Sequence, residues 1–482
     1  MSMTLRSTFL SGLIASTRVI WKLFAFCTLT LGVQAFAHEL RWDWDLIDTN
    51  NVYFPKNFDW GTATAEYQIS GATRCSPSNW SAFEAPAKIE CSGNACDGWN
   101  RAFDDIKLLQ QLGVNSYRFS VDWTALEPEE GVFDAAALQH YVDLCDALLK
   151  AGIKPMVTLH HFVHPLWFEQ LGGFEKPDNI RYFVRFCEHV FKALGRKVPM
   201  WCTINEPGVL IFQGYIRNCY PVPTRGGNGM QRAAVVLKHL LQAHVAVYQA
   251  LKKLPGGKEA QIGLAHSYLA FEHFHSWWSP GKSLLERTIS NTLNSFLNDS
   301  ILEFFIRGHY KFKVCGVADE EYYDARALRS LDFIGLNYYA HVFLRFYHRV
   351  TDTVHPGFRL GDYRTDMPYG FYPEGIWRAI KHVAELKVPI YITENGIADA
   401  KDDRRALWIK RYLYAVSKAI EDGYDVRGYY YWSLMDNYEW DMGYSQKFGL
   451  YEVNLETKER TLRKGAQPYV DLIARWKDGG SL

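Results

Sequence analysis

Two glutamates sit in short polar runs far apart in the chain, Glu206 in Thr-Ile-Asn-Glu-Pro and Glu394 in Ile-Thr-Glu-Asn-Gly, and each follows a strand-like apolar stretch. Paired carboxyl groups brought to one site can cleave a glycosidic bond. One protonates the departing oxygen, and the other attacks the anomeric carbon or activates water. Either run alone reads equally well as a solvated loop beside Asn, Pro or Gly. The chemistry is carried by the two together and by the polar residues that accompany them.

Positioning such a pair requires elements that end at a common face. Short apolar strands alternate with amphipathic helices along the chain. Strands are expected at Phe58–Ala63, Ser116–Val121, Pro155–Leu159, Met200–Ile204, Gln261–Ala265, Asp332–Leu336, Pro389–Thr393 and Arg427–Trp432. Helices are expected at Asn100–Leu112, stopped by Gly113, and from the N-cap Asp134 to Gly152. Two more are expected near 373–386 and 403–421. The Asp134 helix gathers Leu138, Tyr141, Val142, Cys145, Leu148 and Leu149 on one face. Eight strands with helical crossovers and no second domain imply one (β/α)8 TIM barrel with extended βα loops. Such barrels place their chemistry at the C-terminal ends of the strands. The polar residues fall there: Gln68 after strand one, Arg118 on strand two, His161 after strand three, Asn205 and Glu206 after strand four, Asn337 and Tyr339 after strand six, Glu394 on strand seven and Trp432 on strand eight.

No linker divides the 482 residues. The expected organisation is a leader over 1–37, a lead-in over 38–57 and the catalytic barrel over 58–475. Equal acidic and basic counts leave a formal net charge of zero, which offers no footprint for nucleic acid and favours a neutral small-molecule ligand. The 15% aromatic content suits the apolar faces of sugar rings, although a large core also consumes Trp and Tyr.

Arg18 and Lys22 precede the apolar run Leu23–Val33, and Ala35-Phe36-Ala37 has the small-x-small form of a signal-peptidase site. The expectation is an exported protein (secreted, periplasmic or in a secretory lumen). A retained anchor is the alternative, and membrane contact is expected only in that case. Asn79-Trp80-Ser81 and Asn298-Asp299-Ser300 are glycosylation sequons for a eukaryotic host. Of nine cysteines, Cys75, Cys91 and Cys96 share a Ser/Asn/Gly-rich loop where one disulfide is expected in an oxidising compartment, while Cys145, Cys187 and Cys202 read as small buried apolar residues. No metal or cofactor is expected: no spacing suits zinc, and adjacent His160 and His161 point to opposite strand faces.

The motifs Gln68-Ile69-Ser70-Gly71-Ala72, Tyr117-Arg118-Phe119-Ser120, His160-His161-Phe162, Thr203-Ile204-Asn205-Glu206-Pro207, Asn337-Tyr338-Tyr339, Thr393-Glu394-Asn395-Gly396 and Trp432 through Trp440 resemble glycoside hydrolase family 1 over about Phe58 to Tyr469. The resemblance implies a retaining β-glycosidase of β-glucosidase type with a β-glucoside, galactoside or fucoside as substrate. It makes Glu206 the acid/base and Glu394 the nucleophile. It sets Arg118 and Tyr339 beside the nucleophile, and gives Asn205 the sugar 2-hydroxyl. Gln68, His161, Asn337, Glu439, Trp440 and Phe448 become sugar-binding residues, with Trp432 stacked beneath the ring. The charge of Glu394 is expected to raise the pKa of Glu206. A carboxylate at Glu439 is expected to repel phosphate and so exclude 6-phosphosugars. Glu206 also argues against the plant thioglucosidase branch, which lacks that carboxyl group.

Two positions depart from the family pattern. Ser70 stands where many members have Glu, and Phe162 stands where Trp is common, which leaves the glycone preference open. The long loops Tyr215–Gly229, Tyr268–Lys282 and His341–Tyr369 build the acceptor side, whose shape the sequence does not reveal. Alternatives are a transglycosidase, which shares the intermediate, and an inactive sugar-binding relative, which the presence of both glutamates disfavours. An isomerase or aldolase barrel would need a Schiff-base Lys or metal ligands at strand ends.

Overall fold

The computed structural model describes residues 40–72, 77–273, 280–345, 355–357, 363–367 and 369–479. The leader and Cys75 lie outside these. Eight parallel strands close into a barrel: β1 (Asp59–Ala63), β2 (Ser116–Ser120), β3 (Lys154–His160), β4 (Met200–Asn205), β5 (Gln261–Ser267), β6 (Phe333–Asn337), β7 (Ile390–Asn395) and β8 (Val426–Trp432). Each pairs with the next in sequence, and β1 pairs with β8, Ala63 standing opposite Trp432. Closure leaves the barrel no free edge.

The helices form as their patterns require. Asp134 caps Ala135–Lys150 by accepting from the amides of Ala136 and Ala137, which satisfies two of the donors that open a helix. Ile180–Leu194 turns Tyr182, Phe183, Phe186, Cys187, Val190, Phe191 and Leu194 inward at intervals of three and four. Helices also run over Gly98–Leu112, Glu374–Val383 and Arg405–Glu421, close to their expected bounds. Trp60, Trp80, Trp123, Trp201 and Trp408 are fully buried. Much of the aromatic content is therefore core and says little about sugar binding.

Inside the barrel a smaller cluster includes Met156, Met200, Cys202, Ala265, Phe333, Tyr391, Tyr430 and Trp432. The hydroxyls of Ser116 and Tyr430 meet there at 2.7 Å. Cys145, Cys187 and Cys202 are buried as expected. The disulfide expectation is corrected for one pair: no bond joins Cys91 to Cys96, and the Cys96 thiol is turned inward to donate to the Asp436 carbonyl at 2.9 Å.

Both sequons are corrected as well. Asn79 lies in the helix Asn79–Ala87, its amide nitrogen donating to Phe162 O at 3.0 Å and its oxygen accepting from the His164 amide at 3.1 Å. Asn298 is buried, and its amide donates to Leu269 O at 2.8 Å. Neither nitrogen is presented to a glycosyltransferase in the folded chain. Among the described residues of the acceptor-side loops, Ala270–His273, His341–Arg345 and His355–Gly357 make a small three-stranded sheet.

The lead-in is stapled to the outside of the barrel. The Trp42 amide and the Trp44 indole N–H both donate to Glu374 Oε1, at 2.8 and 3.0 Å, and Tyr372 donates its hydroxyl to Leu40 O at 2.8 Å.

Candidate active site

Strand alternation alone would not bring the two glutamates together. On β4, Met200 and Cys202 face the barrel interior, so a regular strand would turn Ile204 inward and Asn205 outward. The β4–β5 register shifts between Cys202 and Asn205. As a result Ile204 joins the outer core, and Asn205 reaches the Arg118 guanidinium at 2.6 Å. On β7, Tyr391 faces inward, and regular spacing would send Glu394 out. The register against β6 shifts between Ile392 and Glu394 instead. Irregularities of this kind re-aim a side chain.

Glu206 then takes a left-handed backbone (φ 44°, ψ 62°), unusual without glycine and costing about 1–2 kcal/mol. Pro207 opens the next helix, and the Glu206 amide donates to Ala265 O at 2.8 Å, which holds the turn in place.

The carboxyl groups are linked by three side chains. Arg118 donates to Glu394 Oε1 and to Asn205 Oδ1, each at 2.6 Å. Asn337 Nδ2 donates to Glu206 Oε1 at 2.9 Å and to Asn205 Oδ1 at 3.2 Å. Tyr339 donates its hydroxyl to Glu394 Oε2 at 2.7 Å. Thr158 accepts from Arg118 Nε at 3.1 Å, and Thr393 donates to Asn337 Oδ1 at 2.6 Å, which orients that amide.

These contacts and burial act on Glu206 and Arg118 in different ways. Burial pushes the Glu206 carboxyl up to about 8; the charge of Glu394 adds to the rise, and hydrogen bonds from Asn337 and Ser267 and the Arg118 charge oppose it. Glu394 was expected to be the cause and ranks second, because losing hydration costs the buried ion more. Burial opposes the charge on Arg118, but the carboxylate of Glu394 with its other partners holds the pKa above its ordinary value.

The cavity above the pair encloses about 1340 Å³ of atom-free space including its mouth. Gln68, His161, Glu206, Tyr339, Glu394, Trp432, Glu439, Trp440 and Phe448 all line it. Arg118, Asn205 and Asn337 are at most 1% exposed and stand behind that surface. Asn205 Oδ1 accepts twice and Nδ2 donates to His161 Nε2 at 3.1 Å, which leaves one N–H of Asn205 uncommitted. His161 Nε2 thus accepts. With the imidazole held neutral by burial and by the charge of Arg118, the proton rests on Nδ1, which has no partner among the described residues. Gln68 Oε1 likewise has none, while its Nε2 donates to Tyr438 O at 2.8 Å and to Glu439 Oε2 at 3.2 Å. A buried donor and a buried acceptor facing one cavity are suited to a polyhydroxylated ligand.

Burial, then the charges of Glu394, Asp441 and Glu206, pushes the Glu439 carboxyl up to about 8. Phe162, at the common Trp position, packs edge-on to Trp440 at 5.3 Å. Ser70 donates to Glu66 Oε1 at 2.5 Å, away from the carboxyl pair.

Sequence reasoning missed Ser267 and the buried threonines, as well as an apolar wall of Val209, Phe212, Leu269, Phe271, Val342 and Met367. Ser267 became visible only when β5 extended two residues past its expected end. The wall gave no polar signal to read.

An eight-stranded (β/α)8 barrel with paired carboxyl groups over its C-terminal end defines a glycosidase-type barrel hydrolase. Residues 50–478 match the model of Glycosyl hydrolase family 1. Beta-glucosidase A of Acetivibrio thermocellus is 31% identical over 88% of this chain and 99% of its own, and coniferin beta-glucosidase of Pinus contorta is 31% identical over 90% and 94%. Among solved structures, a beta-glycosidase from Pyrococcus horikoshii is 34% identical with a TM-score of 0.76 (90% and 99% covered). The Thermotoga maritima beta-glucosidase bound to glucoimidazole is 28% identical with a TM-score of 0.78 (88% and 99% covered). The chain belongs to glycosyl hydrolase family 1 and is an O-glycosyl hydrolase of the β-glucosidase type.

Proposed function

We propose that the protein is a retaining β-glycosidase that removes a terminal, unphosphorylated β-D-glucosyl residue, with galactosyl and fucosyl as the other glycones to be ranked, by double displacement. The reading rests above all on the contrast between the two carboxyl groups. Glu394 accepts from Arg118 at 2.6 Å and from Tyr339 at 2.7 Å, contacts that suit a carboxylate, whereas Glu206 keeps its proton up to about pH 8.

In the first step a Glu394 oxygen bonds to the anomeric carbon as the bond to the leaving oxygen breaks. The Glu206 proton passes to that oxygen, releasing the alcohol. Esterification removes the charge of Glu394, so Glu206 becomes a stronger acid and its conjugate base takes a proton from water. The water oxygen bonds to the anomeric carbon, the ester bond breaks, and both carboxyl groups return to their starting states. Arg118 and Tyr339 receive the carboxylate as it departs. The unpartnered Gln68 Oε1 and His161 Nδ1–H, with Glu439, supply complementary hydrogen bonds to sugar hydroxyls.

The test is turnover of nitrophenyl β-glucoside, β-galactoside and β-fucoside by the purified chain and by Glu394→Gln, with the first-formed anomer read by proton NMR. Turnover lost in the variant and a β-anomer product are expected. An α-anomer formed first, or turnover undiminished in Glu394→Gln, would refute the double displacement.

We further propose that the enzyme is exported, on the strength of the leader-like segment before His38. Amino-terminal sequencing of protein isolated from its host should begin at His38. A start at Met1 would overturn the cleavage.

A further inference from the structure

On the acceptor side we infer a built site for an aliphatic aglycone, an inference that rests on the glycosidase reading above. The leaving group must lie beside Glu206, which protonates it. Glu206 opens the helix that carries Val209, and Phe212 follows at the end of that helix. Ser267, which hydrogen-bonds Glu206, lies two residues before Leu269. The glycone's partners stand elsewhere, Gln68 in the short helix Glu66–Ser70 after β1 and Glu439 after β8.

The wall beyond Glu206 follows from strand geometry. Ala270–His273 pairs in parallel with His341–Arg345, and Phe271 stands opposite Val342. Paired residues share a face, and so do residues two apart. Phe271 and Val342 therefore lie on one face of this small sheet, and Leu269 and Ala340, just before the two strands, join them in lining the cavity. Phe212 and Met367 add to the apolar surface. At this end Arg217 donates to Gln213 Oε1 at 2.7 Å and its charge faces Asp441, and Tyr220 and Tyr369 also line the cavity.

A second sugar seated against Leu269, Phe271, Ala340 and Val342 would bring several hydroxyls to side chains that offer no partner, and each buried without one is penalised. An alkyl chain would instead remove its methylenes from water, each worth about fourfold in binding when fully buried and about twofold when half-buried. Alkyl alcohols leave with similar intrinsic difficulty, so a chain-length series isolates this contribution.

The experiment measures kcat/KM for methyl, butyl and hexyl β-glycosides of the preferred glycone, and for the corresponding disaccharide, below any micellar concentration. A rise of about 30-fold or more from methyl to hexyl, with the disaccharide below hexyl, is expected from about twofold per added methylene. Val342→Asn should reduce the hexyl-to-methyl ratio about fivefold or more. Because the wild-type series needs no variant, misfolding of Val342→Asn would not obscure the result. A flat series, or a disaccharide preferred over hexyl, overturns the aliphatic site and leaves the glycosidase reading standing. Absence of turnover on every glycoside overturns both.

Discussion

Replacing Glu206 with Gln should abolish turnover of alkyl glycosides and yet stabilise the fold, by an amount that depends on pH. The carboxyl group ordinarily titrates near 4.5 and is held up to about 8 by burial and then by the Glu394 charge. Because the folded-state pKa is raised, the contribution of Glu206 to stability is fully present below about pH 4.5 and is lost as pH rises through about 8. Each pH unit within that window costs about 1.4 kcal/mol, or about 3 kcal/mol by pH 7 and about 5 kcal/mol at the top. Gln is neutral throughout, nearly isosteric, and its carbonyl can accept the Asn337 hydrogen bond that Glu206 now accepts at 2.9 Å. Urea unfolding of the two proteins at pH 4.5, 6 and 7.5 should give a stability difference near zero at the lowest pH, growing by about 1.4 kcal/mol per unit in favour of the variant. A difference that does not change with pH would refute the claim that Glu206 is held neutral by the fold.

The same titration governs catalysis: kcat/KM should fall as pH rises through about 8, where Glu206 loses the proton it must donate, and a pH–rate profile flat to pH 9.5 would contradict this assignment. Tyr339→Phe removes the 2.7 Å donor to Glu394 and should lower kcat/KM by about 10- to 100-fold, the worth of a hydrogen bond to a charged group, with the thermal midpoint little changed. Asn79→Ala should lower stability by about 2–3 kcal/mol in chemical denaturation, since it strands the Phe162 carbonyl and the His164 amide, and expression in a glycosylating host should leave Asn79 of the folded chain without a glycan.

The barrel was legible because its determinants are local. Apolar runs of five to seven residues, the capping Asp134 and the terminating Gly113 specify elements through backbone and side-chain preferences that act over a few positions. The polar residues of the site were legible because a parallel barrel must deliver strand-end side chains to one face. Tertiary structure alone decided the aim and the protonation of those residues. The register shifts on β4 and β7 that turn Asn205 and Glu394 inward depend on neighbouring strands, and so does the left-handed turn at Glu206 held by Ala265. The rise of Glu206 and Glu439 to about 8 comes from desolvation, a property of everything packed around a group. The burial of Asn79 and Asn298 and the free thiol of Cys96 were hidden for the same reason. Sequence thus determined which groups could meet and at which end of the barrel, because covalent order and strand period act locally. The fold decided how they face one another and which holds a proton, because packing and the loss of water involve the whole chain.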